Sequence, residues 1–187
     1  MKKTAIILAA LLAATAARAA EPTPSPFYVT AAAGATHISV DCTGTTSCDK
    51  TGTGGKVMAG YRFGNGFSLE GGYIYFGKAR AGDATSSALI KPSALVLGGA
   101  YALPLEGDWG VVLRLGVGQV KTRAKLFYGP QSGAAAENET KLYAGLGVNY
   151  AVSNSVKLEL GVDTSQGQLA GQKGNLRLIS LGATFSF

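Results

Sequence analysis

Between Phe27 and Phe187 the chain returns repeatedly to one pattern, in which apolar residues alternate singly with small or polar ones. Residues 179–187 carry it cleanly: Ile179, Leu181, Ala183, Phe185 and Phe187 alternate with Ser180, Gly182, Thr184 and Ser186. A period of two belongs to a strand, and it gives that strand one apolar and one polar face. Val156, Leu158, Leu160 and Val162 repeat the pattern, as do Leu142, Ala144, Leu146, Val148, Tyr150 and Val152. Trp109, Val111, Leu113, Leu115 and Val117 do the same, facing away from Gly110, Val112, Arg114, Gly116 and Gly118. Val57, Ala59, Tyr61 and Phe63 lead through Gly64-Asn65-Gly66 into Phe67, Leu69, Gly71, Tyr73 and Tyr75. Adding 27–40 and 93–103, and beginning the last strand at 176 so that it spans 176–187, brings the expected count to eight strands.

The ends and the connections decide where such strands can live. Lys2 and Lys3, an apolar run over 5–17 and the small-x-small step Ala17-Arg18-Ala19 predict a secretory signal peptide over 1–19. Cleavage is expected after Ala19 or Ala20, leaving 20–187 as one β-barrel domain. Pro22, Pro24 and Pro26 disfavour regular structure before the first strand. Beyond the signal no apolar stretch of roughly 20 residues exists, so any membrane span must be made of strands. The expected connections alternate in length, tight at 64–66, 104–108 and 153–155, long at about 41–55, 79–92, 122–139 and 165–175. Short turns at one end, longer loops at the other and an even strand number describe a transmembrane barrel. A soluble lipocalin-type barrel would have to crowd Trp109, Tyr150, Phe185 and Phe187 into a narrow lumen. Instead Phe63, Phe67, Tyr101, Trp109, Tyr150 and Phe187 fall beside the tight turns, as a girdle at a membrane–water boundary does.

The fold class expected is therefore all-β, an eight-stranded antiparallel up-and-down transmembrane β-barrel in the outer membrane of a Gram-negative envelope. Through this architecture and the hairpin GLGVNYAVSNSVKLELG (145–161) the chain resembles the eight-stranded outer-membrane barrels, the family that includes the OmpA transmembrane domain and OmpX. The resemblance implies that Phe185 and the terminal Phe187 form the signal read by the outer-membrane assembly machinery. It departs from full-length OmpA in having nothing after Phe187, so anchoring to the cell wall is not carried over.

An eight-stranded barrel has an interior that side chains can fill. Alternation places Arg62, Glu70, Arg114, Lys157, Glu159 and Asp163 inside, and a structural ion-pair network is expected there. The resemblance adds an alternative, a small gated conductance through this plug; a wide porin is excluded on strand number. Without Lys2, Lys3 and Arg18 the formal charge falls from +6 to about +3, so nucleic acid is not an expected partner. Position matters more than the sum. Lys50, Lys56, Lys78, Arg80, Lys91, Lys121, Arg123, Lys125, Lys141, Lys173 and Arg177 are assigned to the outer end, against Asp41, Asp49, Asp83, Glu137 and Glu139. Lys121, Arg123 and Lys125, with Arg177, are expected to contact lipopolysaccharide.

Cys42 and Cys48, the only cysteines of an exported chain, predict a disulfide closing the first long loop. No metal site is expected, since two thiols and His37 fall short of a zinc ligand set. Some barrels of this size are lipid A deacylases with a His-x-Ser pair, and His37-Ile38-Ser39 followed by Asp41 has that spacing. In that family the pair lies well along the chain, whereas here it ends the first strand. The reading favoured is a non-enzymatic, monomeric barrel without cofactor. Its partners would be outer-membrane lipid, lipopolysaccharide and a host or other surface ligand of the loops, serving envelope integrity and adhesion.

Overall fold

The computed structural model describes residues 26–39, 47–82, 86–128, 131–169 and 172–187; the expected signal peptide, Asp41, Cys42 and Asp83 lie outside them. Among the described residues the regular elements are all strands: β1 (Phe27–Ile38), β2 (Ser47–Asp49), β3 (Thr51–Arg62), β4 (Phe67–Tyr75), β5 (Ala79–Gly82), β6 (Ser86–Pro104), β7 (Trp109–Tyr128), β8 (Gln131–Ala151), β9 (Val156–Leu169) and β10 (Gln172–Ser186). Every pairing is antiparallel. β1 pairs with both β3 and β10, and the β6–β7 pairing closes the ring. The short β5 follows β4 along the same flank of β6, and β2 pairs with β5, so the ten segments occupy eight positions around one barrel.

Side-chain alternation orients each strand. Leu95, Leu97, Leu113, Leu115, Leu160 and Leu181 point outward and are exposed, while Thr30, Ser68, Glu70, Arg114, Glu159, Asp163 and Thr184 are buried inside. At one end the turns are tight: the Phe63 amide donates to the Phe67 carbonyl at 2.9 Å, Leu105 to Trp109 at 3.0 Å and Val152 to Val156 at 3.0 Å. Aromatic rings ring the barrel there, with Phe27–Tyr61 centroids 5.0 Å apart, Phe67–Tyr101 4.6 Å and Trp109–Tyr150 5.0 Å. Aromatic rings gather in this way at a membrane–water boundary.

The opposite end departs from the expected long loops. Residues 86–92, 122–128, 131–139 and most of 165–175 are strand, so β6, β7 and β8 reach 19, 20 and 21 residues. A bilayer needs only about 9–11 residues of a tilted strand. What hid these extensions is an inversion of polarity along the strand. In β7, Val120, Thr122 and Ala124 are buried while Arg123 and Lys125 are exposed and Lys121 half-exposed; in β10, Leu176 and Leu178 are buried around an exposed Arg177. The outer part of the barrel is thus apolar inside and charged outside, as water requires. Its inner cluster comprises Ile38, Met58, Ile74, Phe76, Val96, Val120, Leu176 and Leu178, with Tyr143 at its base. Above Tyr143↔Ser165 the ladder between β8 and β9 ends, and residues 131–142 pair with β7 alone.

Candidate functional site

Beneath the apolar cluster lies a layer of buried charge. The Arg114 guanidinium donates to Glu159 through Nη1 and Nη2 at 3.0 and 2.8 Å and to Glu70 through Nε at 2.8 Å. Lys56 Nζ donates to Glu159 Oε1 at 3.1 Å and Asp163 Oδ2 at 2.7 Å. Two hydroxyls complete the acceptors: Tyr28 donates to Glu70 at 2.7 Å and Tyr143 to Asp163 at 2.6 Å. Each ion is almost fully buried, so this geometry, which gives every carboxylate at least two donors, is what makes the charges tolerable. Gly145, Gly147 and Gly161 leave the room: a Cβ on Gly145 would come within 2.8 Å of Asp163, and one on Gly147 within 3.1 Å of Glu159.

The ion pairs differ from the expected network at three residues, Arg62, Lys157 and Lys56. Arg62 stands opposite Ser68 and makes no ion pair with Glu70; its Nη1 donates to Ser186 Oγ at 2.9 Å and its Cζ lies 4.3 Å from the Tyr28 ring centroid. Lys157 shares that lower level, half-buried and outside the ion pairs. Lys56, assigned to the outer rim, instead points inward and holds the centre. Parity alone carried the signal, since Lys56, Met58, Gly60 and Arg62 share one strand face, but its place near the outer end suggested a rim residue. The lumen is consequently filled twice, by charge and then by Ile74, Phe76 and Leu178, which are fully buried. Any conduction path would have to cross that apolar layer.

On the outer wall the arrangement is the reverse. Lys91 of β6 stands directly opposite Arg123 of β7, flanked along β7 by Lys121 and Lys125. All four lie on the outward face, because the intervening Pro92, Thr122 and Ala124 are buried. The facing positions of β8 are Asn138, Ala136 and Ala134, which bring no acid to that face. Trp109 to Val117 rises about 20 Å at ordinary strand rise and tilt, matching an apolar band of roughly 25 Å. Lys121 to Lys125 then stand roughly 10–20 Å above Val117, beyond the hydrocarbon. Lys91 joins this group through the register that the 104–108 turn imposes, a relation available in the sequence once the hairpin is closed.

Arg177 does not belong to this wall. It lies on β10, with β9 and β8 between it and β7, and its cross-strand neighbours are His37 and Thr164. His37 is exposed on the outer face, and the Ser39 amide donates to the Asn175 carbonyl at 2.9 Å; no hydrogen bond joins the His37 and Ser39 side chains among the described residues. Asp41, the acid of that constellation, lies outside those residues. Cys48 occupies β2 in register with Ala81, while Cys42 also lies outside. Among the described residues no group of three or more His, Cys, Asp or Glu side chains is placed to hold a metal. Phe185 and Phe187 both point outward at the girdle, 40% and 73% exposed.

This architecture is matched by family and by fold. Residues 6–187 match the family described as outer membrane protein beta-barrel domain. The chain belongs to that family. It is an outer-membrane protein, and the girdle and apolar band mark where its barrel crosses the bilayer. Among solved structures it is similar to Neisserial surface protein A, at 19% identity and a TM-score of 0.62 over 89% of this chain and 100% of that one. It is likewise similar to Ail, the attachment invasion locus protein of Yersinia pestis, at 18% identity and a TM-score of 0.61 over 88% of this chain and 99% of that one. A second structure of Ail, in complex with the heparin analogue sucrose octasulfate, aligns at 17% identity and a TM-score of 0.56 over 86% and 99%. At such identities the likeness concerns the fold. No curated protein matches the sequence.

Proposed function

We propose that this outer-membrane barrel is a non-enzymatic surface-interaction protein whose basic wall binds polyanions. On its own cell these are the phosphates of lipopolysaccharide, which ties the barrel to the envelope; on another surface they are anionic polymers, which gives adhesion. The observation that carries the reading is the group Lys91, Lys121, Arg123 and Lys125, on one face, above the apolar band and with no acid on the adjoining β8 positions. Guanidinium and ammonium groups so spaced suit phosphate or sulfate. That Ail, of the same fold, has been solved with a sulfated sugar supports the chemical class of ligand. The reading requires that changing Lys121, Arg123 and Lys125 together to Gln, with the fold verified by the gel shift on boiling, lowers retention on immobilised lipopolysaccharide and heparin about tenfold at physiological salt. Undiminished retention of the triple variant would overturn it. A disulfide between Cys42 and Cys48 fits the same exported setting, and Phe187, with Phe185, is proposed as the assembly signal.

A further inference from the structure

The lipid-facing surface is not uniformly ridged. Across β10, β1, β3 and β4 it sinks into a trough of about 660 Å³, with Ala31, Ala33 and Gly55 as its floor and Tyr73, Tyr75 and Leu181 among its walls. The floor is shallow because of side-chain size alone. Ala33 stands between Gly55 on one side and Leu181 on the other, and Ala31 between Val57 and Ala183. β1 is hydrogen-bonded to both neighbours along its length, so no strand edge is free there to take a peptide. At this height an outer-membrane barrel is bathed in lipid, and a trough without side chains forfeits dispersion energy unless something narrow and apolar fills it.

The head of the trough has a different chemistry. Following the outward positions of β1 upward from Ala31 through Ala33 and Ala35 leads to His37, whose cross-strand partner is Arg177. From Phe27 at the girdle to His37 the strand climbs about 25 Å, which sets this pair at the outer boundary of the apolar band. Arg177 is exposed, and no acid lies within ion-pair distance of it among the described residues. The carboxylate placed on the adjoining stretch, Asp49, already accepts from the Thr51 amide and hydroxyl at 3.1 Å. A cation at interface height without a counter-ion among the described residues, directly above an apolar trough, is complementary to a molecule that is anionic at its head and narrow and apolar below it.

We propose that this trough binds one phosphorylated lipid of the outer leaflet, its acyl chain along β1 and its phosphate on Arg177, with His37 as a second hydrogen-bonding group. The site is separate from the basic wall, on another side of the barrel, and does not depend on it.

The test is native mass spectrometry of the full barrel released from detergent after incubation with lipid A or with its dephosphorylated form, which differ only at the head. Wild type is expected to retain one copy of lipid A about tenfold better than the dephosphorylated form. Ala33→Leu, which fills the floor from the lipid side, lowers retention of both; Arg177→Gln, made in the Gln triple variant of Lys121, Arg123 and Lys125 so that the wall contributes no phosphate binding, abolishes the preference and leaves chain binding. The Gln triple variant of Lys121, Arg123 and Lys125 leaves the single bound copy in place, which separates this site from the wall. Retention by Ala33→Leu equal to wild type, or a preference that survives Arg177→Gln in the Gln triple background, overturns the proposal. The gel shift on boiling verifies that each variant is folded, and Leu at a lipid-facing position suits its surroundings.

Discussion

At the scale of single residues the barrel's interior is governed by how each buried charge is matched. Glu159 is the hinge of the network, since it accepts from both Arg114 nitrogens and from Lys56. Glu159→Gln leaves Glu70 on Arg114 and Asp163 on Lys56, so neither cation is stranded, but one anion is removed from between two buried cations. Removing a partner from a buried pair typically costs about 3–5 kcal/mol, and the remaining contacts put the expected loss at about 3 kcal/mol. Arg62, half-buried with a hydroxyl and an aromatic face for company, should cost only about 1 kcal/mol when changed to Gln. Trp109, the sole tryptophan, reports urea unfolding in lipid vesicles for both variants. Equal losses would mean that the central layer is no better paired than the lower one. Strand parity made Glu70, Arg114, Glu159 and Asp163 legible as inward residues. Which cation answered which acid was not legible, because Lys56 reaches Glu159 and Asp163 from across the lumen, where register gives no guide.

At the scale of elements the decisive feature is the junction between β4 and β5. Gly77 has φ of 77°, a left-handed conformation that L side chains rarely adopt, and a Cβ there would come within 2.7 Å of Thr36 Oγ1 and 2.9 Å of the Thr53 carbonyl oxygen. The residue therefore lets the strand break and resume beside β6, where the Phe76 amide donates to the Pro92 carbonyl at 3.1 Å. Gly77→Ala should loosen β5 and the part of β6 it pairs with while leaving the membrane strands intact. Hydrogen exchange would then rise over 79–82 and 86–90 and stay unchanged over 67–75; uniform protection across all three would refute a hinge role for Gly77. Sequence periodicity located the strand cores and the three tight turns because lipid demands an apolar exterior over that height. It missed the upper halves of β6 to β9 for the same reason. Once water replaces lipid outside, Lys121, Arg123 and Lys125 occupy the positions held lower down by Leu113, Leu115 and Val117, and a continuous strand reads as a charged loop.

At the scale of the whole molecule these observations describe two barrels on one axis, a membrane part with a polar interior and an emergent part with an apolar one. They meet at the level where the β8–β9 ladder ends, and each satisfies its own solvent. The emergent part should therefore be shortened without unfolding the rest. Thr122 and Glu137 are cross-strand partners, so replacing residues 123–136 by Asn-Gly closes the β7–β8 hairpin with a turn suited to its twist. Every pairing of β8 with β9, every ion pair of the central layer and the whole girdle survive that excision. The shortened protein should keep its altered gel mobility before boiling and the emission of a lipid-embedded Trp109. It loses Arg123 and Lys125, and the partner of Lys91 with them, so its retention on heparin should fall to that of the Gln triple variant. If it failed to fold, the emergent part would be supporting the membrane part rather than resting on it. A folded barrel that still held heparin as wild type does would move the polyanion site away from β6 and β7.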